Sequence, residues 1–599
     1  MVIVLCRSQV LHQISGDGMS KEKVPNPSEL EKELNEYLSK KYGDKVRLSV
    51  PLLFPDSESF KGDEHTGTAR KKKKTPVPNI HFSMKPRELE AYLHEYVIKQ
   101  DSAKEILATK ICTHFNRIKQ QVRYPGPGNI KNNILMIGPT GVGKTFLIKL
   151  IAQKIGVPFI KGDATKFSET GYVGGDVEDL VRDLVREANG DIARAQYGII
   201  YIDEIDKIAS SKNSWGLDVS RTGVQRALLK PMEETEVDLK VPHDIVSQME
   251  ALEDYRRTGK REKRTINTKN ILFILSGAFN ELEEIIERRL NRQGIGFGAS
   301  LKTRDERESL LALVKAEDLV EYGFESEFIG RIPVIATFQH LQVDDLYAIL
   351  TNPNSTVINS KKQDFMAYGI DVRFEDDALR SIAELAAAEK TGARGLVTIM
   401  ERVLLKYEKM LPSTNIKKLV VTQAMVHNPE EEFERCLRMQ SYDLEIGERH
   451  AALIQKEHSI LKNRLRAIVA TFDEGVRFLV AEPYIDTVVK VAVEKSRDYR
   501  GVLEEAALIC GEVREFEKAF EQYHDIRISF NEQAVNKVIE RVLMDESDTS
   551  TFLKELFSNY QHGLKLIQER NGCSSFVFTE KTIEDPQEYL NSLIKETYY

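Results

Sequence analysis

The chain has 599 residues, of which 41% are hydrophobic and 30% are charged, a balance typical of soluble globular proteins. One hydrophobic core rarely serves a chain of this length, so the length predicts three or four domains. The formal net charge of -8 excludes a chain-wide electrostatic attraction to nucleic acid or to anionic membranes. No apolar run reaches the roughly 18 residues that a membrane-spanning helix needs.

The five cysteines are scattered along the chain, and no two of them have Cys-x-x-Cys spacing. This pattern argues against a disulfide framework and a structural zinc site, and it fits a reducing compartment. The apolar residues Met1–Leu11 lack the charged start and the small-residue cleavage site of a signal peptide. We therefore expect a cytoplasmic protein without a membrane segment.

Residues 1–84 predict an N-terminal segment and a linker, because Pro, Gly, Ser and Asp recur between residues 55 and 80. The basic run Arg70–Lys74 lies in this stretch. A DNA-binding tail is one interpretation of the run, but a solvated linker is the preferred one.

From residue 85 to residue 340 the pattern predicts a large domain of the α/β class. Four short apolar runs alternate with helix-like segments, which is typical of a parallel sheet with flanking helices. The runs are Ile134–Ile137, Gly198–Ile202, Ile271–Leu275 and Pro333–Thr337.

The rest of the chain changes in style. Residues 341–428 predict a small α-rich domain, with a strand, two helices and a second strand at Lys418–Thr422. Residues 429–599 predict a mostly helical C-terminal extension. Within it, residues 525–599 echo the strand–helix–helix–strand order that begins at Asp371, so they form either a degenerate repeat of the small domain or an unrelated α+β segment.

A complete phosphate-binding loop follows the first apolar run. Glycines let consecutive backbone N–H groups turn toward the phosphates, and the following helix directs its N-terminus at the same anion. Lys144 is expected to reach the β- and γ-phosphates of ATP, and Thr145 to bind Mg²⁺. The loop consists of Gly138, Pro139, Thr140, Gly141, Val142, Gly143, Lys144 and Thr145.

An acidic pair follows the second apolar run, at the edge where parallel sheets bind ligands. Asp203 is expected to hold Mg²⁺, and Glu204 to polarise the attacking water. An ordinary surface turn would explain an isolated Asp-Glu pair, but about 60 residues after a phosphate loop the pair indicates a nucleotide site. A kinase must keep water away from the γ-phosphate, so the glutamate favours an ATPase.

These motifs resemble the AAA+ family of ATPases, and within it the ClpX family of protein unfoldases. The similarity extends from about Pro86 to about Pro429, and Gly171-Tyr172-Val173-Gly174 is similar to the family's pore loop. The resemblance implies an AAA+ fold, ATP and Mg²⁺ as cofactors, and a homo-oligomeric ring that we expect to be a hexamer. It also implies protein substrates, which Tyr172 and Val173 would grip in the channel. A tyrosine in a tight turn is the alternative.

The resemblance assigns further roles to residues that stand in the family's order. It implies that Val97 and Ile98 contact adenine, and that Ser276 is the polar sensor-1 residue. Arg394 is similar to the sensor-2 arginine, which contacts the γ-phosphate from the small domain. Arg331 is similar to the arginine that completes a neighbouring subunit's site. The alternatives are a buried, hydrogen-bonded serine and two surface salt bridges.

One loop is similar to the segment with which the ClpX family docks on the peptidase ClpP. It has the sequence Gly294-Ile-Gly-Phe-Gly298, in which an apolar plug sits between glycines. The resemblance implies that Ile295, Gly296 and Phe297 enter a hydrophobic cleft of a ClpP-like peptidase. A buried Ile–Phe pair is the alternative.

The sequence also departs from the family. The N-terminal zinc domain with paired Cys-x-x-Cys motifs is missing, and residues 429–599 have no counterpart. Lys99 stands where the family usually has glycine. Adaptor and substrate choice therefore cannot be carried over from the family.

The predicted function is an ATP-dependent protein unfoldase and translocase of the ClpX type, which feeds a ClpP-like peptidase and has no peptidase activity of its own. A peptidase-independent remodelling chaperone shares every catalytic residue and is the alternative. A nucleic-acid motor would need basic pore residues. A nonenzymatic ATP-gated scaffold would not need the intact catalytic set.

Overall fold

The computed structural model describes most of the chain from residue 82 onwards. These residues belong to a single unit, Lys74–Tyr599. Among them, no helix is apolar over a length that could span a lipid bilayer. The described residues are 82, 84–123, 131–167, 175–210, 219–239, 264–293, 310–438, 446–469, 474–558, 560–572 and 574–598.

Residues 82–340, here called the large lobe, contain a parallel five-stranded sheet. Its strands are β1 (Ile134–Ile137), β2 (Phe159–Asp163), β3 (Ile199–Asp203), β6 (Leu272–Gly277) and β7 (Val334–Thr337). They lie in the order β2-β3-β6-β1-β7. Ile134 is in register with Ile274 on one side and with Val334 on the other. The carboxyl ends of β1 and β3, where the phosphate loop and the acidic pair begin, therefore lie at the same edge of the sheet.

Helices cover both faces of this sheet. Those of the large lobe are α1 (Pro86–Tyr96), α2 (Asp101–Arg123), α3 (Lys144–Ile155), α4 (Val177–Glu187), α5 (Ile192–Ala195), α6 (Val219–Met232), α7 (Leu282–Gln293), α8 (Ala316–Tyr322) and α9 (Ser326–Gly330). Ile134 and Met136 pack with α1, α2 and α3 on one face, whereas Leu135 and Ile137 pack with α4, α6 and α7 on the other. Strands buried on both faces appear in sequence as continuous apolar runs, which is why β1 is easy to predict.

The predicted α/β class with a parallel sheet is confirmed, and the four apolar runs coincide with β1, β3, β6 and β7. Sequence analysis missed β2, because this edge strand is only half-buried and carries Lys161 and Gly162 at its centre. It also missed a short antiparallel pair, β4 (Glu236–Asp238) and β5 (Thr265–Asn267).

Residues 341–438, here called the small lobe, contain a two-stranded parallel sheet. Its strands are β8 (Asp371–Phe374) and β9 (Lys418–Val421), with Asp371 opposite Lys418. The helices are α10 (Val343–Thr351), α11 (Thr356–Met366), α12 (Asp376–Ala388), α13 (Ala393–Met410), α14 (Gln423–His427) and α15 (Pro429–Arg438). Their apolar faces form one core with the two strands.

Residues 446–598, here called the C-terminal region, are mainly helical, as predicted. Two parallel strands, β10 (Arg527–Phe530) and β11 (Ser575–Phe578), also occur here. The helices are α16 (Gly447–Ala467), α17 (Glu474–Arg477), α18 (Tyr484–Glu494), α19 (Tyr499–His524), α20 (Glu532–Asp545), α21 (Thr549–Ser558), α22 (Gln561–Asn571), α23 (Glu580–Glu584) and α24 (Pro586–Tyr598).

The small lobe and the C-terminal region share an order of elements. In each, a strand, two or three helices and a parallel partner strand are followed by a five-residue helix and a longer one. The five-residue helices are α14 and α23. This order is what a duplicated small domain would have, and the duplication itself stays a prediction.

A buried arginine joins the small lobe to the C-terminal region. Arg373 in β8 is fully buried, and its guanidinium donates to Asp371 at 2.9 Å and to Glu457 of α16 at 2.6 Å. Glu457 also accepts a hydrogen bond of 2.8 Å from Lys362. Removing one partner of such a pair would leave an uncompensated buried charge, so the contact between the two parts depends on all of these side chains.

Candidate nucleotide-binding site

The phosphate loop connects β1 to α3 as its sequence predicts. It begins at Gly138, directly after β1, and its last two residues, Lys144 and Thr145, begin α3, whose N-cap residue is Gly143. The unpaired N–H groups at the start of α3 and the positive end of its dipole therefore point into the loop. Gly141 has a φ of 76°, in the left-handed region that glycine adopts without strain. The loop thus has the geometry of an anion-binding cradle.

Lys144, the first residue of α3, is buried over the loop. Its ammonium group donates to the carbonyl oxygens of Gly138 and Pro139, the latter at 2.8 Å. Burial lowers the pKa of Lys144 to about 8, although the charge of Asp203 opposes the shift. The side chain is therefore held where it can bind phosphate oxygens, and burial makes it a weaker base than an exposed lysine.

A hydrogen-bonded group of side chains surrounds the carboxylate of Asp203 at the end of β3. Ser276 Oγ donates to Asp203 Oδ1 at 2.7 Å and lies 2.6 Å from Tyr201 Oη. Thr145 Oγ1 lies 3.0 Å from Tyr201 Oη and 3.4 Å from Asp203 Oδ2. Burial raises the pKa of Tyr201 to about 12, so its hydroxyl stays protonated. The two predicted metal ligands, Thr145 and Asp203, are thus neighbours.

Lys161 of β2 forms an ion pair with the same carboxylate. Its Nζ lies 2.8 Å from Asp203 Oδ2. Burial opposes ionisation of Asp203, but the hydrogen bonds from Lys161 and Ser276 outweigh it and hold the pKa of Asp203 below its usual value. Asp203 is therefore ionised at neutral pH, as a cation ligand must be.

Glu204 adopts a strained backbone conformation directly after β3. Its φ is 56°, which is unusual for a residue with a Cβ atom, and its side chain is exposed. Its backbone N–H donates to Asp203 Oδ1 at 3.1 Å. Such strain costs on the order of 1–3 kcal/mol and is most frequent at functional sites.

A cavity of about 460 Å³ connects these residues to the small lobe. Residues 140–145 of the phosphate loop line the cavity together with Asp203 and Glu204, and Val97 and Ile98 also contribute to its wall. Arg394, the second residue of α13, lines it from the small lobe, and its charge contributes to the lowered pKa of Lys144. A cavity of this volume can bury a ligand of the size of a nucleotide.

The donor atoms of this cavity fit Mg²⁺. A hydroxyl and an ionised carboxylate, those of Thr145 and Asp203, lie together beside the phosphate loop. Mg²⁺ is usually bound by one or two such oxygen ligands, and phosphates and water complete its coordination. In the described parts of the chain, no group of three or more His, Cys, Asp or Glu side chains forms a metal site without nucleotide.

Comparison with known proteins agrees with this geometry. Residues 129–335 match the family described as AAA domain (Cdc48 subfamily). A Treponema denticola protein named ATP-dependent Clp protease ATP-binding subunit ClpX is 40% identical over 358 residues, which cover 59% of this chain and 84% of that protein. Proteins of the same name from Borrelia duttonii and Borrelia recurrentis are each 41% identical over 347 residues, covering 57% of this chain and 78% of those proteins.

The chain belongs to the ClpX family. It is therefore an ATPase with an AAA domain, and the predicted class of function, an ATP-dependent unfoldase of the ClpX type, is confirmed. The matches do not favour the peptidase-independent alternative. The chain is longer than these ClpX relatives, which is consistent with an extension.

Arg331, predicted to act on a neighbouring subunit, does not line the cavity of its own chain. It is half-exposed and forms an ion pair with Glu233 at 2.7 Å. Its backbone carbonyl accepts a hydrogen bond of 2.9 Å from Asn133. An arginine on the surface is in the place that a trans-acting role requires, but it is also in a salt bridge, so the role stays a prediction.

Two predicted loops lie outside the described residues. They are the pore loop with Tyr172 and Val173, and the docking loop with Ile295, Gly296 and Phe297. The described chain stops at residue 167 and resumes at Gly175, where a parallel bridge pairs Gly175 with Phe167. Phe167 and Gly175, the described residues on either side of the first segment, are therefore adjacent.

Lys99, where the resemblance to the ClpX family predicts glycine, has a left-handed backbone with a φ of 59°. Glycine adopts this conformation freely, whereas other residues lose about 1–2 kcal/mol. The Lys99 ammonium offsets part of this cost by donating to His340 O at 2.8 Å and to Asp345 at 2.9 Å. The segment after Val97 and Ile98 therefore keeps the conformation that glycine would allow.

The structure adds residues that sequence analysis missed. Ser276, the predicted sensor-1 residue, is fully buried behind Asp203 and does not line the cavity, whereas Asn280 does. Asn280 lies three residues beyond the end of β6, and because of this distance from the strand the sequence pattern did not indicate it as a cavity residue. Lys161 was also missed, because it lies in β2, which the sequence did not indicate. Tyr201 was missed because a tyrosine in β3 is typical of an ordinary buried strand.

Proposed function

We propose that the chain is an ATP-driven unfoldase that pulls protein substrates through a ring of six subunits and passes them to a ClpP-like peptidase. The observation that carries the proposal is the cavity in which the phosphate loop, Asp203 and Glu204 face Arg394 of the other lobe. This arrangement can couple a change in the nucleotide to a movement between the lobes.

The phosphate loop and Lys144 would bind the triphosphate. Backbone N–H groups of the loop cradle the phosphates, and Lys144 neutralises the charge of the β- and γ-phosphates. Thr145 and Asp203 would hold Mg²⁺, which when bound neutralises charge on the β- and γ-phosphates. Val97 and Ile98 supply an apolar surface for adenine.

Glu204 would polarise the water that attacks the γ-phosphate. Its left-handed backbone turns the side chain away from the course of β3, beside Asp203 and in the wall of the cavity. Asp203, by contrast, is held by Ser276 and Lys161 and so is fixed as a ligand. Adjacent carboxylates with different surroundings can thus have different roles.

Arg331 would complete the site of the next subunit. An arginine that stabilises charge on the transferring phosphoryl group typically accelerates hydrolysis by about a thousandfold or more. Arg331 is exposed on the surface of its own chain, so it could reach the nucleotide site of a second subunit only within an oligomer. Head-to-tail contacts form a ring when the rotation between neighbours closes, and from the resemblance to the ClpX family we infer a closed ring of six subunits.

Movement between the lobes would be transmitted to the pore loop. Arg394 and the phosphate loop belong to different lobes and line the same cavity, so hydrolysis changes what holds them together. Tyr172, flanked by glycines, would grip a polypeptide of any sequence and drag it through the ring. The loop around Phe297 would dock on the peptidase, and the whole assembly would act in the cytoplasm.

The test uses ATP hydrolysis and unfolding of a tagged fluorescent protein by the full-length chain. Tyr172→Ala should abolish unfolding while ATP hydrolysis continues, because only the grip is removed. Tyr523→Ala, which removes a tyrosine that is 84% exposed, is the matched control and should change neither. Undiminished unfolding by Tyr172→Ala would refute the pore-loop role.

The peptidase is tested separately. A ClpP-type peptidase should be retained by the wild-type chain in the presence of ATP and lost by Phe297→Ala. Retention by neither form would favour the remodelling chaperone.

A further inference from the structure

The C-terminal region reaches the nucleotide cavity through the end of α1. Glu95 is the second-last residue of α1, is only 4% exposed, and precedes the cavity residues Tyr96, Val97 and Ile98. Its Oε2 accepts a hydrogen bond of 2.7 Å from Arg500 Nε and one of 2.6 Å from Tyr499 Oη. Residues about 400 positions apart thus form one buried cluster.

The cluster is an ion pair with two parallel hydrogen bonds. Arg500 also donates through Nη2 to Glu95 Oε1, so the guanidinium and the carboxylate meet in the bidentate geometry that fixes both planes. Burial would lower the pKa of Arg500, but the hydrogen bonds and charge of Glu95 outweigh it and raise that pKa. The Arg500 guanidinium also lies 5.2 Å from the ring centre of Tyr92, one turn earlier in α1.

The backbone at the same point is held from two further directions. Glu95 O accepts a hydrogen bond of 3.1 Å from Arg464 of α16 and one of 2.9 Å from Asn352 of the small lobe. Tyr96 Oη donates to Asp498, the N-cap residue of α19, at 3.0 Å. The large lobe, the small lobe and the C-terminal region therefore converge on two consecutive residues.

These contacts extend into the cavity wall. Asn352 Oδ1 accepts a hydrogen bond of 3.0 Å from the backbone N–H of Asn354, and both asparagines line the cavity. Burial raises the pKa of Tyr499, so its hydroxyl stays protonated and can donate to Glu95. Through Glu95, Tyr499 is thus connected both to the segment that leads to Val97 and to Asn352 in the segment between the lobes.

We propose that Tyr499 and Arg500 are positioning residues for the adenine end of the nucleotide site. By fixing Glu95 they place Val97 and Ile98 on one side, and through Asn352 they place the connection between the lobes on the other. The inference rests on the proposed nucleotide site and assigns the C-terminal region a part in it. The phosphate loop is held by β1, by α3 and by the hydrogen bond from Ala393 N to Gly141 O, and none of these contacts involves Glu95. We therefore expect Tyr499 and Arg500 to affect binding of the base more than binding of the phosphates.

The test compares two tyrosines in the full-length chain. Tyr499→Phe removes one hydrogen bond to Glu95 and keeps the ring. Tyr560→Phe is the matched control, because its buried hydroxyl donates to Thr582 O at 2.8 Å in the same region but away from the cavity. Tyr499→Phe should raise the KM for ATP at least fivefold and change kcat less than twofold, whereas Tyr560→Phe should change neither.

An inhibitor that has phosphates but no base distinguishes a specific loss of base binding from a general disturbance of the nucleotide site. Inorganic tripolyphosphate should inhibit the wild type and Tyr499→Phe with the same inhibition constant, because it has no base to contact Val97 and Ile98. Arg500→Lys, which keeps the charge but loses the bidentate geometry, should raise the KM for ATP further.

Two results would overturn the proposal: equal KM values for Tyr499→Phe and Tyr560→Phe, or an inhibition constant for tripolyphosphate that rises in parallel with KM. Wild-type protein that fails to bind ATP would instead refute the proposed nucleotide site itself. Tyr499→Phe retains the buried ring and should fold. Its KM for ATP can therefore be compared with that of Tyr560→Phe even if Arg500→Lys does not fold.

Discussion

Gly141 of the phosphate loop lies in direct backbone contact with Gly392 at the start of α13. A Cβ atom on Gly392 would lie 2.8 Å from Gly141 O, and a Cβ atom on Gly141 would lie 2.1 Å from Thr391 O. Ala393 N donates to Gly141 O at 2.9 Å. The N-terminus of the helix that carries Arg394 therefore rests on the phosphate loop, and the absence of side chains at both glycines permits this approach.

Gly392→Ala is expected to separate the small lobe from the phosphate loop. The new Cβ atom has no space beside Gly141, and a φ of 63° with a ψ of -145° is a conformation that only glycine adopts readily. We expect ATP turnover to fall about tenfold or more because Arg394 no longer reaches its position.

Gly369→Ala provides the control for this change. Gly369 lies in the same lobe with a φ of 72°, and the nearest atom to an added Cβ is Lys417 Nζ at 4.0 Å. This variant should lose about 1 kcal/mol of stability by backbone strain and keep its turnover. Steady-state ATPase assays measure the turnover of both variants, and thermal melts measure their stability. Similar turnover in the two would show that the contact has no part in hydrolysis.

Glu204→Gln is expected to bind ATP normally and to hydrolyse it at least a hundredfold more slowly, because the amide cannot polarise water. Binding is measured with a fluorescent ATP analogue, and turnover by phosphate release. Undiminished turnover would remove Glu204 from the catalytic role.

Glu204→Gly should lose hydrolysis but not stability. A glycine relieves the strain of a φ of 56°, which offsets the greater entropy of the unfolded chain. Glu546→Gly is the matched control, since Glu546 has a φ of 52° at the end of α20. Both variants should melt near the wild-type temperature, and only the first should be inactive. A melting temperature lowered by Glu204→Gly alone would mean that its conformation is not strained.

The sequence allowed the phosphate loop, β3 and the position of the acidic pair to be predicted because their signals are local. The phosphate loop, β3 and the acidic pair each lie within a few consecutive residues, and their backbone conformations follow from glycine content and apolar runs. The same applies to the α/β class, since buried parallel strands are continuously apolar.

Contacts distant in sequence could not be predicted. Glu95 and Arg500 are separated by 405 residues, and each alone resembles an exposed charge on a helix. Lys161 sits in an edge strand with too few apolar residues to be noticed, so its ion pair with Asp203 was also missed. The buried Arg373 contradicts the usual preference of charged residues for the surface, and only its partners make it possible.

Lys161→Met is expected to strengthen binding of Mg²⁺. The Lys161 ammonium and the metal ion compete for the Asp203 carboxylate, and the lysine is 45% exposed, so the gain should be modest, about threefold to fivefold. The Mg²⁺ concentration that gives half-maximal ATP hydrolysis measures it. Lys269→Met, which removes a lysine that is 47% exposed and paired with Glu234, should leave that concentration unchanged. A higher Mg²⁺ requirement in Lys161→Met would mean that the lysine assists the metal.

The lowered pKa of Lys144 predicts how ATP affinity depends on pH. Burial lowers this pKa from 10.5 to about 8, so the free protein loses the ammonium charge as pH rises above 8. Bound phosphates favour the charged form and raise the pKa again, so binding above pH 8 must take up a proton. Affinity should be constant from pH 6.5 to 7.5 and should fall by up to tenfold per pH unit above 8.

Titrations with a fluorescent ATP analogue measure the affinity, and calorimetry in two buffers with different heats of ionisation measures the proton uptake. The contribution of Lys144 to stability has the opposite sign, because between pH 8 and 10.5 the folded chain binds fewer protons than the unfolded chain at this site and is therefore stabilised as pH rises. Lys144→Met should bind ATP weakly and show neither the fall in affinity nor the proton uptake. Constant affinity of the wild type up to pH 9.5 would mean that Lys144 keeps its ordinary pKa in the free protein.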